Sequence, residues 1–377
     1  MIPHLTTALA GPLLDLEQRI LDGMPDIERW LRTQWQEHAV PFYASVDLRN
    51  AGFKLAPVDT NLFPGGFNNL NGAFMPLCVQ AIQTAVERVC ADARGVLLIP
   101  ENHTRNTFYL RNVATLENIL RQAGMRVRIG TLIPEIKETT RIELPGGGAL
   151  TFEPLVRNGR RVGLAGFDPC MVLLNNDLSS GAPEILRDID QPIAPVLEAG
   201  WYNRKKSHHF HIYHEVAREF AEILGIDSWL IDPYFAACGA INFQERAGEE
   251  CLASNVAMLL HRIGAKYKEY GITESPFVIV KADAGTYGMG IMTVRDASEV
   301  TGLNRKQRNK MSVIKEGLEV SSVIVQEGVP TFESINDAIA EPVVYMIDRF
   351  VVGGFYRVHT SRGKDENLNA PGAEFVP

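Results

Sequence analysis

Lys281 ends the apolar run Phe277, Val278, Ile279 and Val280, and Gly285, Gly288 and Gly290 follow it before a second apolar run at 291–294. A strand, a loop nearly free of side chains and a second strand are what this spacing describes. Glycines let backbone N–H groups approach anionic oxygens, and a lysine at the strand end adds positive charge, so the chemistry on offer is phosphate binding. The segment is not a Walker loop, because no Gly-Lys-Ser/Thr opens a helix. It is not a dinucleotide fingerprint, because a strand follows the glycines. A glycine cluster also serves an ordinary hairpin turn, so its surroundings must decide.

Downstream, Val323, Ile324 and Val325 read as a strand entering Gln326, Glu327, Gly328 and Val329. There the backbone can cross an adenine edge while the acidic side chain meets the amino group or the ribose. A basic stretch at 304–315 reads as a helix between the two features. Upstream, Lys205 and Lys206 precede Ser207, a good N-cap, so helix N–H groups and a lysine could meet a phosphate together; a solvated basic turn is the plainer alternative.

A rival signal is the crowding of His208, His209, His211 and His214 into seven positions, which would need Glu215 or Glu219 to complete a metal set. No cysteine lies nearby and the His-Glu-x-x-His spacing is missing. A metallohydrolase is therefore the reading from a different class. Histidines that hydrogen-bond within an interdomain surface are the other account of the cluster.

These residues need positioning elements. The spacing over residues 13–38 predicts a helical cap with a break at 23–25, so residues 1–41 form an N-terminal unit. A buried strand at 96–99, a helix up to Gln122 and a strand at 126–129 make a βαβ unit, with another buried strand at 172–174. Residues 42–200 are thus expected to form an α/β substrate domain whose loops at the strand ends carry function. Residues 201–275 read as a helical connector and 276–377 as a nucleotide domain, with strands at 343–347 and 355–359 joined by a Gly353-Gly354 turn. The fold class is α/β, a parallel-sheet N-terminal domain followed by a second, nucleotide-binding domain.

A chain of 377 residues, 46% hydrophobic and 22% charged, can bury a large core without a partner. Its net charge of −8 disfavours nucleic acid and anionic lipid as partners. No stretch reaches the roughly 18 apolar residues of a membrane span, and the start lacks a secretory pattern. Cys78, Cys90, Cys170, Cys238 and Cys251 show no paired metal spacing, as expected of thiols in a reducing cytoplasm.

The order of lysine strand, glycine loop, basic helix and Gln-Glu hinge resembles the ATP-grasp fold. Residues 46–49, 53–69, 174–181 and 200–210 sharpen this. From about Phe42 onward the chain resembles the proteobacterial, ATP-grasp-like type of glutamate-cysteine ligase.

The resemblance implies ATP-dependent ligation of glutamate, through γ-glutamyl phosphate, to cysteine, the first step of glutathione synthesis. It makes Arg357 and Lys281 the catalytic cations. It assigns Lys206, Lys281, Gly285, Gly288, Gly290, Gln326, Glu327 and Val329 to ATP.

For the amino acids, a zwitterion needs a cation for its carboxylate and a carboxylate or amide for its ammonium, and Arg49, Asp59, Asn61, Arg105 and Asn176 fit. Each also fits a turn or a surface ion pair.

Residues 366–372 are similar to the family's Glu-x-Asn motif for Mg²⁺, with Asn367 where the pattern has a carboxylate. The ligands are then Glu366, by a shift, and Asn369, or residues beyond Pro377. The absence of the usual C-terminal helix points to a truncated tail. An incomplete metal motif also permits a nucleotide-binding protein without catalysis, and since no residue here must read a thiol, another ATP-grasp carboxylate-amine ligase stays open.

Overall fold

A computed structural model describes residues 4–8, 11–92, 94–285, 290–312 and 319–377. The strand Gly95–Pro100 is apolar without alternation and buried at every position, as a strand covered on both faces must be. It lies between the parallel strands Met171–Asn175 and Arg126–Thr131 in a six-stranded sheet. Ile193–Ala194 and Ala149–Pro154 extend the parallel array, and Thr140–Glu143 closes one edge antiparallel. Helices Met75–Val89 and Thr107–Gln122 pack their apolar residues with Val96 and Leu98. Leu97 and Ile99 point to the opposite face, into a smaller core with Val172, Leu174 and Phe63.

A second, four-stranded sheet is antiparallel throughout, in the order Phe235–Cys238, Val323–Glu327, Val278–Ala282, Ile291–Val294. Helix Glu249–Glu269 covers it through Leu252, Val256, Leu259 and Ile263. The segment expected to be a purely helical connector thus gives this sheet an edge strand, Phe235–Cys238. Its backbone groups pair with the hinge strand, Phe235 opposite Gln326. The basic stretch forms helix Arg305–Ser312 within the described residues.

The third sheet, of seven strands, changes the expected layout. Tyr43–Asn50 and Leu55–Asn61, expected with the parallel sheet, pair instead with each other, and Tyr43–Asn50 also pairs with Ala338–Ile347, far along the chain. Their mixture of buried and half-buried positions suits an antiparallel sheet better than a doubly covered one. Gly353 and Gly354 also differ from expectation. They lie inside strand Phe350–His359, and the chain reverses at Asp348 and Arg349 instead. Gly353, at φ 134°, sits beside a register shift at Tyr345/Met346, and a Cβ on Gly354 would stand 2.6 Å from the Val343 carbonyl oxygen.

At the N-terminal side, helices Pro12–Asp22 and Met24–Glu37 meet at Gly23, where a side chain would strike Leu224. They lean on helix Lys206–Leu224 through Trp30 and Phe220, whose ring centroids lie 5.7 Å apart. Among the described residues no helix is long and apolar enough to cross a membrane.

Candidate active site

A cleft of about 360 Å³, open to solvent, is lined by strands of both antiparallel sheets and by loops from the carboxyl ends of the parallel strands. The seven-stranded sheet contributes Asp47, Arg49, Glu341 and Arg357 on neighbouring strands. Arg357 Nη1 donates to Asp47 at 2.9 Å and to Glu341 at 2.6 Å, and Arg49 Nε meets the other Glu341 oxygen at 2.8 Å. Burial raises the Asp47 carboxyl above its ordinary value, against the pull of Arg357. Burial opposes the charge on Arg357, but the two carboxylates outweigh it and push its pKa up. Arg357 Nε has no partner. Arg49 also donates to the carbonyls of Lys364 and Glu366, so its guanidinium is largely committed within the protein.

A second charged group centres on Asp59. Lys206 Nζ donates to both oxygens of Asp59 at 2.6 and 2.8 Å, and Lys281 Nζ donates to the neighbouring Val58 carbonyl. Desolvation would raise Asp59, but Lys206 and Lys281 hold it down to about 2. Burial lowers Lys281 to about 8, with Asp59 opposing.

The expected N-cap at Ser207 is two residues late: the helix starts at Lys206 with Lys205 as its N-cap. Ser207 donates its N–H and hydroxyl to the Asp283 carboxylate at 2.8 and 2.7 Å, and the Lys206 N–H donates to the Asp283 carbonyl. A distant carboxylate therefore fills the helix start that sequence reasoning left open for phosphate.

One part of the cleft has apolar walls: Phe277, Ile279, Ile291 and Val329. Gln326 is 2% exposed and its Nε2 lacks a partner. Glu327 differs from expectation, since its carboxylate is already saturated. It accepts from Lys54 Nζ at 2.8 Å, Trp229 Nε1 at 3.0 Å and the Tyr234 N–H at 2.9 Å, while the Glu327 and Gly328 N–H groups donate to the Tyr234 and Phe277 carbonyls. Gly285 and Gly290 take left-handed φ of 91° and 61°, a backbone conformation that favours glycine. Gly288 lies outside the described residues.

Of the expected amino-acid contacts, Arg49, Asp59 and Asn61 line the cleft; Asn61 also turns the chain by accepting from the Phe63 N–H. Arg105 is exposed and does not line the cleft. Asn176 spends its side chain on the Leu178 N–H and the Pro100 carbonyl. Glu366 and Asn369 both line the cleft, but the Glu366 carboxylate holds Arg362 and the Gly363 N–H.

The histidines disperse: His214 pairs with Asp232, His211 faces Glu215 at 3.7 Å, and burial lowers His209 to about 4. Among the described residues no group of three or more His, Cys, Asp or Glu side chains could hold a metal. Sequence reasoning missed Lys54, Asp283, Glu341 and Trp201. The one available signal was Lys54, a cation between Phe53 and Leu55, which in a folded chain demands a buried partner.

The family model for glutamate-cysteine ligase matches residues 17–377. A crystal structure from Methylobacillus flagellatus KT, of a protein named provisionally as a gamma-glutamylcysteine synthetase, is similar over 100% of this chain and 89% of its own, with a TM-score of 0.92 and 64% identity. A glutathione synthetase-like effector from Globodera pallida aligns over 91% of this chain and 80% of its own at 8% identity, with a TM-score of 0.40 too low to bear on the argument. No curated protein matches. The chain belongs to the glutamate-cysteine ligase family.

Proposed function

We propose that the protein ligates glutamate to cysteine at the expense of ATP, within an ATP-grasp-like arrangement in which the four-stranded sheet and the seven-stranded sheet hold the nucleotide between them. The observation that carries this reading is the convergence of Lys281, Asp59 and Arg357 on one cleft with apolar walls, with Lys206 bonded to Asp59. The glutamate γ-carboxylate attacks the terminal phosphorus of ATP, giving γ-glutamyl phosphate and ADP. The cysteine amine then attacks the acyl carbon, phosphate leaves, and the amine loses a proton. Little covalent work falls to the protein, which positions the partners and stabilises spread-out negative charge.

In this reading Lys281 and Arg357 face the transferred phosphoryl group. Gln326, the hinge backbone at Glu327 and Val329, and the loop glycines Gly285, Gly288 and Gly290 bind the nucleotide. A buried donor without a partner is costly, and a ligand acceptor near Gln326 Nε2 would relieve that cost. Lys206 exchanges part of its bond with Asp59 for a phosphate oxygen, and Asp59 and Asn61 then receive an ammonium group. Arg49 acts through Glu341, which it holds against Arg357. Arg105 and Asn176 have the weaker case as substrate contacts.

Magnesium is held by one or two carboxylates plus phosphate oxygens, and Glu366 with Asn369 beside the cleft would supply such a set, the Glu366 carboxylate then being shared with Arg362 and the Gly363 N–H. Bound there, Mg²⁺ would neutralise charge on the phosphates.

Coupling is the test. ADP should appear rapidly only with glutamate, cysteine and Mg²⁺ together, alongside a product of mass glutamate plus cysteine minus water. Brisk ADP formation without that product would refute the ligation. ATP-independent hydrolysis would favour the metallohydrolase reading.

A further inference from the structure

We propose that Cys238 and Cys251 form a thiol–disulfide exchange site that takes a low-molecular-weight disulfide such as cystine. Cys238 ends the edge strand Phe235–Cys238, and Cys251 lies in the first turn of helix Glu249–Glu269. The connection folds back on itself through the Asn242–Ala247 bridge and brings the two sulfurs to 3.6 Å. Asn255, one turn further along the helix, donates Nδ2 to Cys238 Sγ at 2.9 Å and lies 3.7 Å from Cys251 Sγ.

The two thiols differ in access: Cys251 is exposed, and Cys238 is 2% exposed. An incoming disulfide therefore meets Cys251 first. Burial pushes the Cys238 thiol up to about 11, and the Asn255 hydrogen bond opposes that rise. Asn255 is the group that stabilises a thiolate on the buried sulfur. Cys90 and Cys170 also interact, but Cys170 spends its S–H on the Gly95 carbonyl, and Cys78 faces the Val352 carbonyl in the core.

The steps balance. The Cys251 thiolate attacks one sulfur of cystine, expels a cysteine thiolate and leaves a mixed disulfide. The Cys238 thiolate then attacks the Cys251 sulfur and expels the second cysteine. Two electrons pass from the protein thiols to the cystine bond, and the two thiol protons end on the released cysteines. The bridge forms beside the strand that carries Gln326 and Glu327. This site stands apart from the ligase reading, since its chemistry uses neither ATP nor the cleft.

The test is to incubate the intact protein with cystine in the absence of ATP and read its mass and its linked peptides. The expected result is a loss of about two mass units with the 238 and 251 peptides joined and no half-cystine retained. Cys238→Ser should instead keep half-cystine on Cys251, and Cys251→Ser should leave Cys238 unmodified. A half-cystine that persists on Cys251 in the unaltered protein, or a bridge between other cysteines with this pair left reduced, overturns the proposal.

Discussion

Lys281 is a cation that burial has weakened, and this gives the protein a pH signature. Its folded form loses its proton near pH 8, whereas the ordinary lysine value is 10.5. Between those values the unfolded chain binds more protons than the folded one, so stability rises with pH across that window. Nucleotide affinity should move the other way, falling as the pH climbs through 8 and the cation is lost. Both slopes should vanish in Lys281→Met; denaturation and equilibrium binding of an ATP analogue from pH 7 to 10 measure them. Unchanged affinity in the folded variant would remove Lys281 from the phosphate site.

A second pair works by the opposite logic. Lys54 and Glu327 are both almost wholly buried, and Lys54 also lies 4.4 Å from the Trp229 ring centroid. Lys54→Met alone strands a buried carboxylate and should cost about 3–5 kcal/mol, while adding Glu327→Gln should restore much of the loss. Urea unfolding of the single and double variants decides it.

At the scale of elements, Asp283 ties the strand bearing Lys281 to the start of the helix bearing Lys206. Asp283→Ala should cost about 0.5–2 kcal/mol, as loss of a helix cap does, and should speed amide exchange at the first turn of Lys206–Leu224. Thermal unfolding with exchange mapping tests both parts.

This element also marks where the sequence is legible. The lysine strand was readable from an apolar run and its punctuation, and Ile291–Val294 falls where expected. The helix start was misjudged because Ser207 has the chemistry of a cap, and only the fold brings the carboxylate that occupies it from 76 residues away. The Gly353-Gly354 pair misled for a similar reason. Glycine marks both turns and places where backbones approach closely, and the strand partner that separates the two cases is a tertiary fact.

At the scale of the whole molecule, the main core does not respect the expected boundary near residue 200. Ile82, Leu98 and Val113 from the parallel-sheet region pack in one cluster with Val343, Tyr345 and Phe355 from the last part of the chain. An isolated fragment of residues 42–200 should therefore show no cooperative thermal transition, whereas the intact chain should. A sharp transition in the fragment, seen by calorimetry, would reinstate it as an independent domain. The parallel sheet was readable because βαβ pairing is local. The joining of strand Tyr43–Asn50 to Ala338–Ile347 was not, since antiparallel partners this far apart leave no mark on spacing.

That joining also fixes a timetable. Arg357 follows its partner Asp47 by 310 residues, so a ribosome releases the acidic strand long before the arginine that neutralises it exists. At about 5–20 residues per second, the first strands wait many seconds with an open edge, exposed to wrong pairings. The Asp47–Arg357 charge cluster is assembled only after residue 357 has emerged, so this protein should rely on holding chaperones for its early strands more than a protein whose neighbouring strands pair as they emerge.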